Sequence, residues 1–186
     1  MFGRVRAAQG ILGRVSGLRT IVLIGPMGVG KSTVGRLVAD RLERPLIDSD
    51  VVIWRSIGMS AADVAETAGV ERLHEIEALV LERSLERSTG AVITAAASVV
   101  DDPGLVDRLR EGREFVGLLT ARSEECVRRA TPGGHRRTMT VEEHRELYER
   151  RIDSYRRAAD IEIDTTSLDA LEVAELLINA IWVSWP

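Results

Sequence analysis

The chain has 186 residues, of which 45% are apolar and 29% charged, enough for one domain with a single core. Its formal net charge of −4 lacks the strong positive charge of a nucleic-acid-binding domain, so we expect no nucleic-acid partner. No apolar run approaches the roughly twenty residues that a membrane-spanning helix needs, and the first residues lack the apolar core of a secretory signal. We therefore expect a cytoplasmic protein that contacts no membrane.

The first 18 residues differ in composition from the rest of the chain. They contain three arginines, no acidic residue and only scattered apolar residues. We interpret residues 1–18 as a loosely ordered basic extension and residues 19–186 as a single domain. An organelle-targeting peptide would also be rich in arginine and poor in acids, so that alternative stays open.

From Thr20 onward, short apolar runs alternate with longer amphipathic segments. The apolar runs predict five strands, at 20–25, 45–48, 91–94, 115–119 and 161–164. The amphipathic segments predict helices, most clearly at 31–43, 70–87, 101–110, 123–130, 140–159 and 168–181. Because strands and helices alternate throughout, we expect an α/β fold with a parallel sheet that helices cover on both faces.

Two segments within this pattern have features of their own. Residues 131–139 are rich in turn residues and cations without an apolar period, which indicates a mobile loop. The chain's only cysteine, Cys126, lies in a predicted helix. We expect it to be a small buried side chain rather than a reactive thiol.

The sequence GPMGVGKS at 25–32 matches the pattern G-x-x-x-x-G-K-[ST] between a strand and a helix. Glycines let the backbone turn its N–H groups around an anion, and the helix N-terminus adds a favourable dipole. Lys31, the only lysine of the chain, would reach the β and γ phosphates, while the Ser32 hydroxyl would ligate magnesium. The motif therefore predicts a site for Mg²⁺ and ATP, completed by Gly28, Val29, Gly30 and Thr33. A glycine-rich turn without a ligand is the alternative.

Two carboxylates, Asp48 and Asp50, follow the second predicted strand. Because they are two residues apart, they would point the same way in an extended backbone. In a parallel sheet the carboxyl ends of the strands share one edge with the phosphate loop. One carboxylate could hold hydrated magnesium and the other could orient an acceptor hydroxyl or take its proton. Capping the next helix is the alternative role for the pair.

These segments resemble the shikimate kinases, small P-loop kinases of the nucleoside monophosphate kinase fold. The resemblance covers about residues 20–180 and rests on GPMGVGKSTVGRLVADRL at 25–42, PLIDSDVVI at 45–53, GMSAADV at 58–64 and LHEIE at 73–77. It implies a three-layer α/β/α sandwich whose five parallel strands run in the order 2-3-1-4-5. It also implies a short lid, at about 131–140, that closes over ATP.

The resemblance assigns roles to particular residues. It implies that Asp48 assists magnesium and that Asp50 contacts the acceptor hydroxyl. Arg136 aligns with a lid arginine that neutralises the transferring phosphate, and Arg129 with a residue near the adenine. Arg156 aligns with an arginine that holds the substrate carboxylate. Each of these arginines could instead lie on a solvated helix face.

The sequence departs from the family at the acceptor positions. Where the family has an arginine that grips the shikimate carboxylate, this chain has His74. A histidine is shorter and lacks the two-point grip of a guanidinium. The family's three glycines after the third strand are alanines at 95–97, and their methyl groups, including that of Ala96, would crowd backbone contacts to a substrate. We therefore include His74 and Ala96 among the substrate residues.

Together these features predict an ATP-dependent phosphotransferase that acts as a monomer on a hydroxyl of a small metabolite. The acceptor would be shikimate or, given the altered residues, a different small hydroxylated acid or polyol. One alternative is a kinase-derived ATP-binding or regulatory protein that transfers no phosphate. Another is an interaction module whose basic arm and C-terminal tryptophans dock a partner, with the nucleotide as a structural ligand.

Overall fold

The computed structural model describes residues 19–130 and 139–184. The predicted basic extension at 1–18, most of the predicted lid and the catalytic candidate Arg136 lie outside these ranges.

Five strands form one parallel sheet in the order β2-β3-β1-β4-β5, which confirms the predicted topology. The strands are β1 Ile21–Ile24, β2 Leu46–Asp48, β3 Val92–Thr94, β4 Phe115–Thr120 and β5 Ile161–Asp164. Strands β1, β3 and β4 are buried along their whole length, as the continuous apolar runs suggest. The phosphate-loop motif follows β1, so it emerges from the centre of the sheet.

Eight α-helices flank the sheet in the described ranges. They are α1 Lys31–Leu42, α2 Ser49–Ile57, α3 Ala61–Ala68, α4 Val70–Arg87, α5 Pro103–Glu111, α6 Ser123–Arg129, α7 Val141–Ala158 and α8 Ala170–Val183. A 3₁₀ helix spans Ala97–Asp101 between β3 and α5. Among the described residues, no helix combines the length and the apolar character that crossing a bilayer would require.

Local signals explain where several helices begin. Thr140 accepts from the Glu143 backbone N–H while the Glu143 carboxylate accepts from the Thr140 N–H. Asp102 caps α5, whose first residue is Pro103. These caps satisfy backbone N–H groups that have no acceptor within the helix.

The core lies on both faces of the sheet. Val22 and Ile24 of β1 pack with residues of α4, α5 and α7, and Ile21 and Leu23 pack with residues of α1 and α8. Successive side chains of a strand point to opposite faces, so one buried strand contributes to both clusters. The result is the three-layer α/β/α sandwich expected from the sequence.

Candidate active site

The loop between β1 and α1 adopts a backbone that glycine alone fits well. Gly25, Gly28 and Gly30 have φ angles of 139°, 77° and 103°. A Cβ atom on Gly28 would lie 2.1 Å from the carbonyl oxygen of Cys126, and one on Gly25 would lie 2.2 Å from that of Leu119. Gly25 and Gly28 therefore serve close backbone packing as well as the turn itself.

Cys126 lies directly beneath this loop. Its side chain is fully buried, and burial raises the pKa of the thiol to about 11. The thiol is therefore protonated at neutral pH and is no nucleophile in the folded state. This confirms the prediction of a small buried side chain.

The phosphate loop ends at the N-terminus of α1. Gly30 occupies the cap position and provides no side-chain cap, so the first turn presents backbone N–H groups that suit an anion. The Lys31 Nζ donates to the carbonyl oxygens of Gly25 and Pro26 at 2.8 and 2.9 Å. The ammonium group thus lies against the loop that the motif predicts to hold phosphates.

Asp48 ends β2 and also caps α2. Its Oδ1 accepts from the backbone N–H groups of Asp50 and Val51 at 3.1 and 3.3 Å, and its Oδ2 accepts from Thr94 Oγ1 at 2.8 Å. Burial alone would raise the pKa of Asp48, but hydrogen bonds from Ser32, Thr94 and the two backbone N–H groups together lower it. Asp48 is therefore ionised at neutral pH beside the Ser32 hydroxyl.

The predicted geometry of the acidic pair is wrong in one respect. The extended backbone ends at Asp48, and Asp50 already lies in the first turn of α2. The reason is the capping role of Asp48, which the sequence offered only as an alternative. The two carboxylates nevertheless line the same cavity.

A cavity of about 700 Å³ extends from the phosphate loop across the carboxyl ends of the strands. It is lined by most of the predicted site residues: Gly28, Val29, Gly30, Lys31, Ser32, Thr33, Asp48, Asp50, Ala96 and Arg129. Arg129 donates from Nε to Glu125 Oε1 at 2.8 Å and from its Nη groups to Thr165 Oγ1 and the Thr165 carbonyl oxygen at 3.0 and 2.9 Å. The guanidinium is thus fixed in the cavity wall.

A second cavity, of about 1030 Å³, adjoins the first, and Met27 and Met139 line both. Its wall combines residues of α3, α4, the 3₁₀ helix and α7, and includes His74. Glu77 is 2% exposed, and its carboxylate accepts from Ser98 Oγ. The Tyr155 hydroxyl donates to the Ala97 carbonyl oxygen at 2.7 Å.

An ion pair joins two elements of this second wall. Arg151 Nε donates to Asp101 Oδ1 at 2.7 Å, and Arg151 Nη2 donates to Asp101 Oδ2. His74 Nδ1 lies 3.7 Å from Asp101 Oδ2. One carboxylate thus contacts two basic side chains.

The arginines that line this wall do not include Arg156, to which the resemblance assigned the substrate carboxylate. Arg156 is exposed, donates from Nε to Glu162 Oε2 at 2.9 Å and lines neither cavity. Arg151 lines the second cavity instead and is 7% exposed. Helical spacing could have indicated that Arg151 is buried, because Tyr155 and Ala158 follow it by four and seven residues and lie on the same buried face of α7.

His144 is a further residue whose place the sequence did not indicate. It is buried on α7, where its Nε2 donates to the Met27 carbonyl oxygen at 3.0 Å. Its Nδ1 then accepts from Ser123 Oγ, also at 3.0 Å. The histidine therefore connects α7 to the phosphate loop between the two cavities.

Comparisons with known proteins agree with this geometry. The family model described as shikimate kinase matches residues 27–182. A shikimate kinase of Caldanaerobacter subterraneus subsp. tengcongensis is 37% identical over 168 residues, 88% of this chain and 96% of that protein. One of Rhodococcus erythropolis is 32% identical over 85% of this chain and 94% of that protein.

A solved structure extends the agreement from sequence to fold. The shikimate kinase of Acinetobacter baumannii in complex with shikimate superposes with a TM-score of 0.84 at 27% identity, over 92% of this chain and 97% of that one. The five-stranded order, the phosphate loop and these matches along nearly the whole length of the relatives lead to one conclusion. This chain belongs to the shikimate kinase family of ATP-dependent small-molecule kinases.

Proposed function

We propose that the protein transfers the γ-phosphate of ATP to a hydroxyl group of a small metabolite, either shikimate or another small hydroxylated acid or polyol. The observation that carries the proposal is the convergence of the phosphate loop, Asp48 and Asp50 on one cavity that adjoins a second. One cavity suits the nucleotide and the other suits an acceptor. The names of the relatives support shikimate as the first acceptor to test.

The residues beside the phosphate loop fit a magnesium ion. Magnesium prefers oxygen ligands and retains several waters, so one or two protein ligands suffice. The Ser32 hydroxyl and the ionised Asp48 carboxylate lie next to each other and offer such ligands. When bound, the ion would offset charge on the phosphate oxygens.

The side chains around the phosphates would act mainly by position and charge. Lys31 would approach the β and γ phosphates from its place against the loop, and the N–H groups of the loop would surround them. Arg129 would hold the nucleotide on the side of the adenine. Arg136, which lies outside the described residues, keeps its proposed role at the transferring phosphate.

Asp50 would orient the acceptor hydroxyl or accept its proton. It is half-buried in the first turn of α2 and faces the cavity that holds the phosphate loop. The hydroxyl oxygen would then attack the γ-phosphorus, the bond from that phosphorus to the bridging oxygen would break, and ADP would leave. The proton of the hydroxyl would pass to the carboxylate or to solvent.

A lysine variant tests the nucleotide site. We expect Lys31→Ala to lower kcat/KM for ATP by about a hundredfold or more, because it removes a charge that stabilises the transferring phosphoryl group. Arg36→Ala is the matched control, since Arg36 is an exposed cation further along the same helix. ADP release measured with shikimate and a panel of polyols gives both values. Equal activity of the two variants would contradict the nucleotide assignment.

The same assay separates an enzyme from a protein that only holds ATP. ADP release that rises with added acceptor supports transfer, and Asp50→Asn should lower kcat by about a hundredfold or more while ATP affinity stays within about twofold. Tight ATP binding without turnover on any acceptor would favour the regulatory alternative.

A further inference from the structure

The wall of the second cavity carries a buried guanidinium that a carboxylate of this chain already occupies. Arg151 is 7% exposed, and Asp101 accepts from it with both carboxylate oxygens. This two-point arrangement is the one by which arginine recognises carboxylates in general. A carboxylate on a ligand would have to displace Asp101 in order to reach the same edge of Arg151.

Displacing Asp101 would leave a second negative charge beside the ligand. His74 does not remove this difficulty, because its Nδ1 already lies 3.7 Å from Asp101 Oδ2. The side chains of Arg151 and His74 therefore both lie against one carboxylate. A ligand carboxylate placed here would face a like charge at close range, which disfavours binding.

The charge of the described part of the cavity wall points in the same direction. Among the described residues that line it, five carboxylates face two guanidinium groups. They are Glu66, Glu77, Asp101, Glu143 and Glu146 against Arg150 and Arg151. A cavity lined mainly by one sign of charge lowers the local concentration of ligands of that sign.

We propose that the second cavity selects an acceptor without a carboxylate, an uncharged polyol, and that Asp101 is the residue that sets this specificity. The inference rests on the proposed function, because it names the class of compound that the kinase phosphorylates. The exposed carboxylates of Glu66 and Glu146, which line the cavity, are suitable hydrogen-bond acceptors for the hydroxyls of a polyol. The cavity thus recognises hydroxyl groups without a cationic grip.

Two acceptors that differ in charge test the inference without any mutation. Shikimate carries an ionised carboxylate at neutral pH, and its methyl ester has the same ring and the same hydroxyl groups. We expect wild-type kcat/KM for the ester to exceed that for shikimate by about tenfold or more, because the acid meets a like charge. ADP release gives the rates, and calorimetry with magnesium and a non-hydrolysable ATP analogue gives the affinities.

A single substitution then assigns the preference to Asp101. Asp101→Asn removes the negative charge and keeps the size of the side chain, so the ratio of ester to shikimate should fall by about tenfold, mainly through a lower KM for shikimate. Asp107→Asn is the matched control, because the Asp107 carboxylate pairs with Arg157 and does not line the cavity. The control should leave the ratio unchanged.

Each of the other outcomes would contradict the inference. A wild-type preference for shikimate, or a folded Asp101→Asn variant with an unchanged ratio, would overturn the inference and leave phosphoryl transfer in place. Binding of the ATP analogue with neither acceptor bound or phosphorylated would overturn it as well, without affecting the nucleotide site. Failure of ATP to bind would overturn the proposed function and the inference together.

Discussion

Gly28→Ala should damage the phosphate loop more than the same change at Gly30. The methyl group on residue 28 would lie 2.1 Å from the carbonyl oxygen of Cys126, so the loop or α6 must move by about 1 Å to restore ordinary contact. At Gly30, no atom lies within 4 Å of the added methyl group. Both glycines have positive φ, so the pair separates backbone strain from steric contact.

The expected magnitudes follow from these two effects. Strain of a side chain in the left-handed region costs about 1–2 kcal/mol and applies to both variants. Overpacking adds about 1–3 kcal/mol for Gly28→Ala alone. For a chain of this size 1 kcal/mol lowers the melting temperature by about 2–4 °C. We therefore expect a decrease of about 2–8 °C for Gly30→Ala and about 4–20 °C for Gly28→Ala.

Thermal unfolding followed by circular dichroism without nucleotide measures the difference directly. A displacement of about 1 Å at the loop N–H groups should also lower kcat/KM for ATP by about a hundredfold in Gly28→Ala. A Gly28→Ala variant that melts at or above the temperature of Gly30→Ala would refute the steric argument.

Two further predictions concern charged groups. Asp48→Asn should make stability less dependent on pH. The folded protein lowers the pKa of Asp48 from its ordinary 3.8. The carboxylate therefore stabilises the fold fully above pH 3.8, and this stabilisation is lost as the pH falls through the lowered pKa of the folded state. The difference in melting temperature between wild type and variant should shrink between about pH 6 and about pH 3, and a constant difference would contradict this. Arg156→Ala should leave kcat/KM for the acceptor within about twofold of wild type, because the ion pair of Arg156 with Glu162 is exposed. A tenfold loss of kcat/KM in steady-state assays would show that Arg156 does contact the acceptor.

Much of the fold could be predicted because its signals are local. β1 and β4 are continuous apolar runs, and burial on both faces is the environment that favours such runs. The capping box at Thr140 likewise lies within four residues. The 3₁₀ helix Ala97–Asp101 was not predicted, because five mostly buried residues are too few to display a helical period.

The candidate site likewise contains residues that the sequence could predict and residues that it could not. Lys31 and Ser32 belong to a contiguous motif, so their neighbourhood follows from the sequence. Asp101 and Arg151 are 50 residues apart, and no spacing rule connects them before the chain folds. Among 24 arginines, charge alone could not distinguish Arg151 from Arg156; burial on the face of α7 does.

The buried thiol beneath the phosphate loop provides a natural reporter. Cys126 is the single cysteine of the chain, and the fold hides it completely. A thiol reagent can therefore react only when the structure around the thiol opens. Its labelling rate gives the frequency of that opening in the unaltered protein, with no introduced dye or tag.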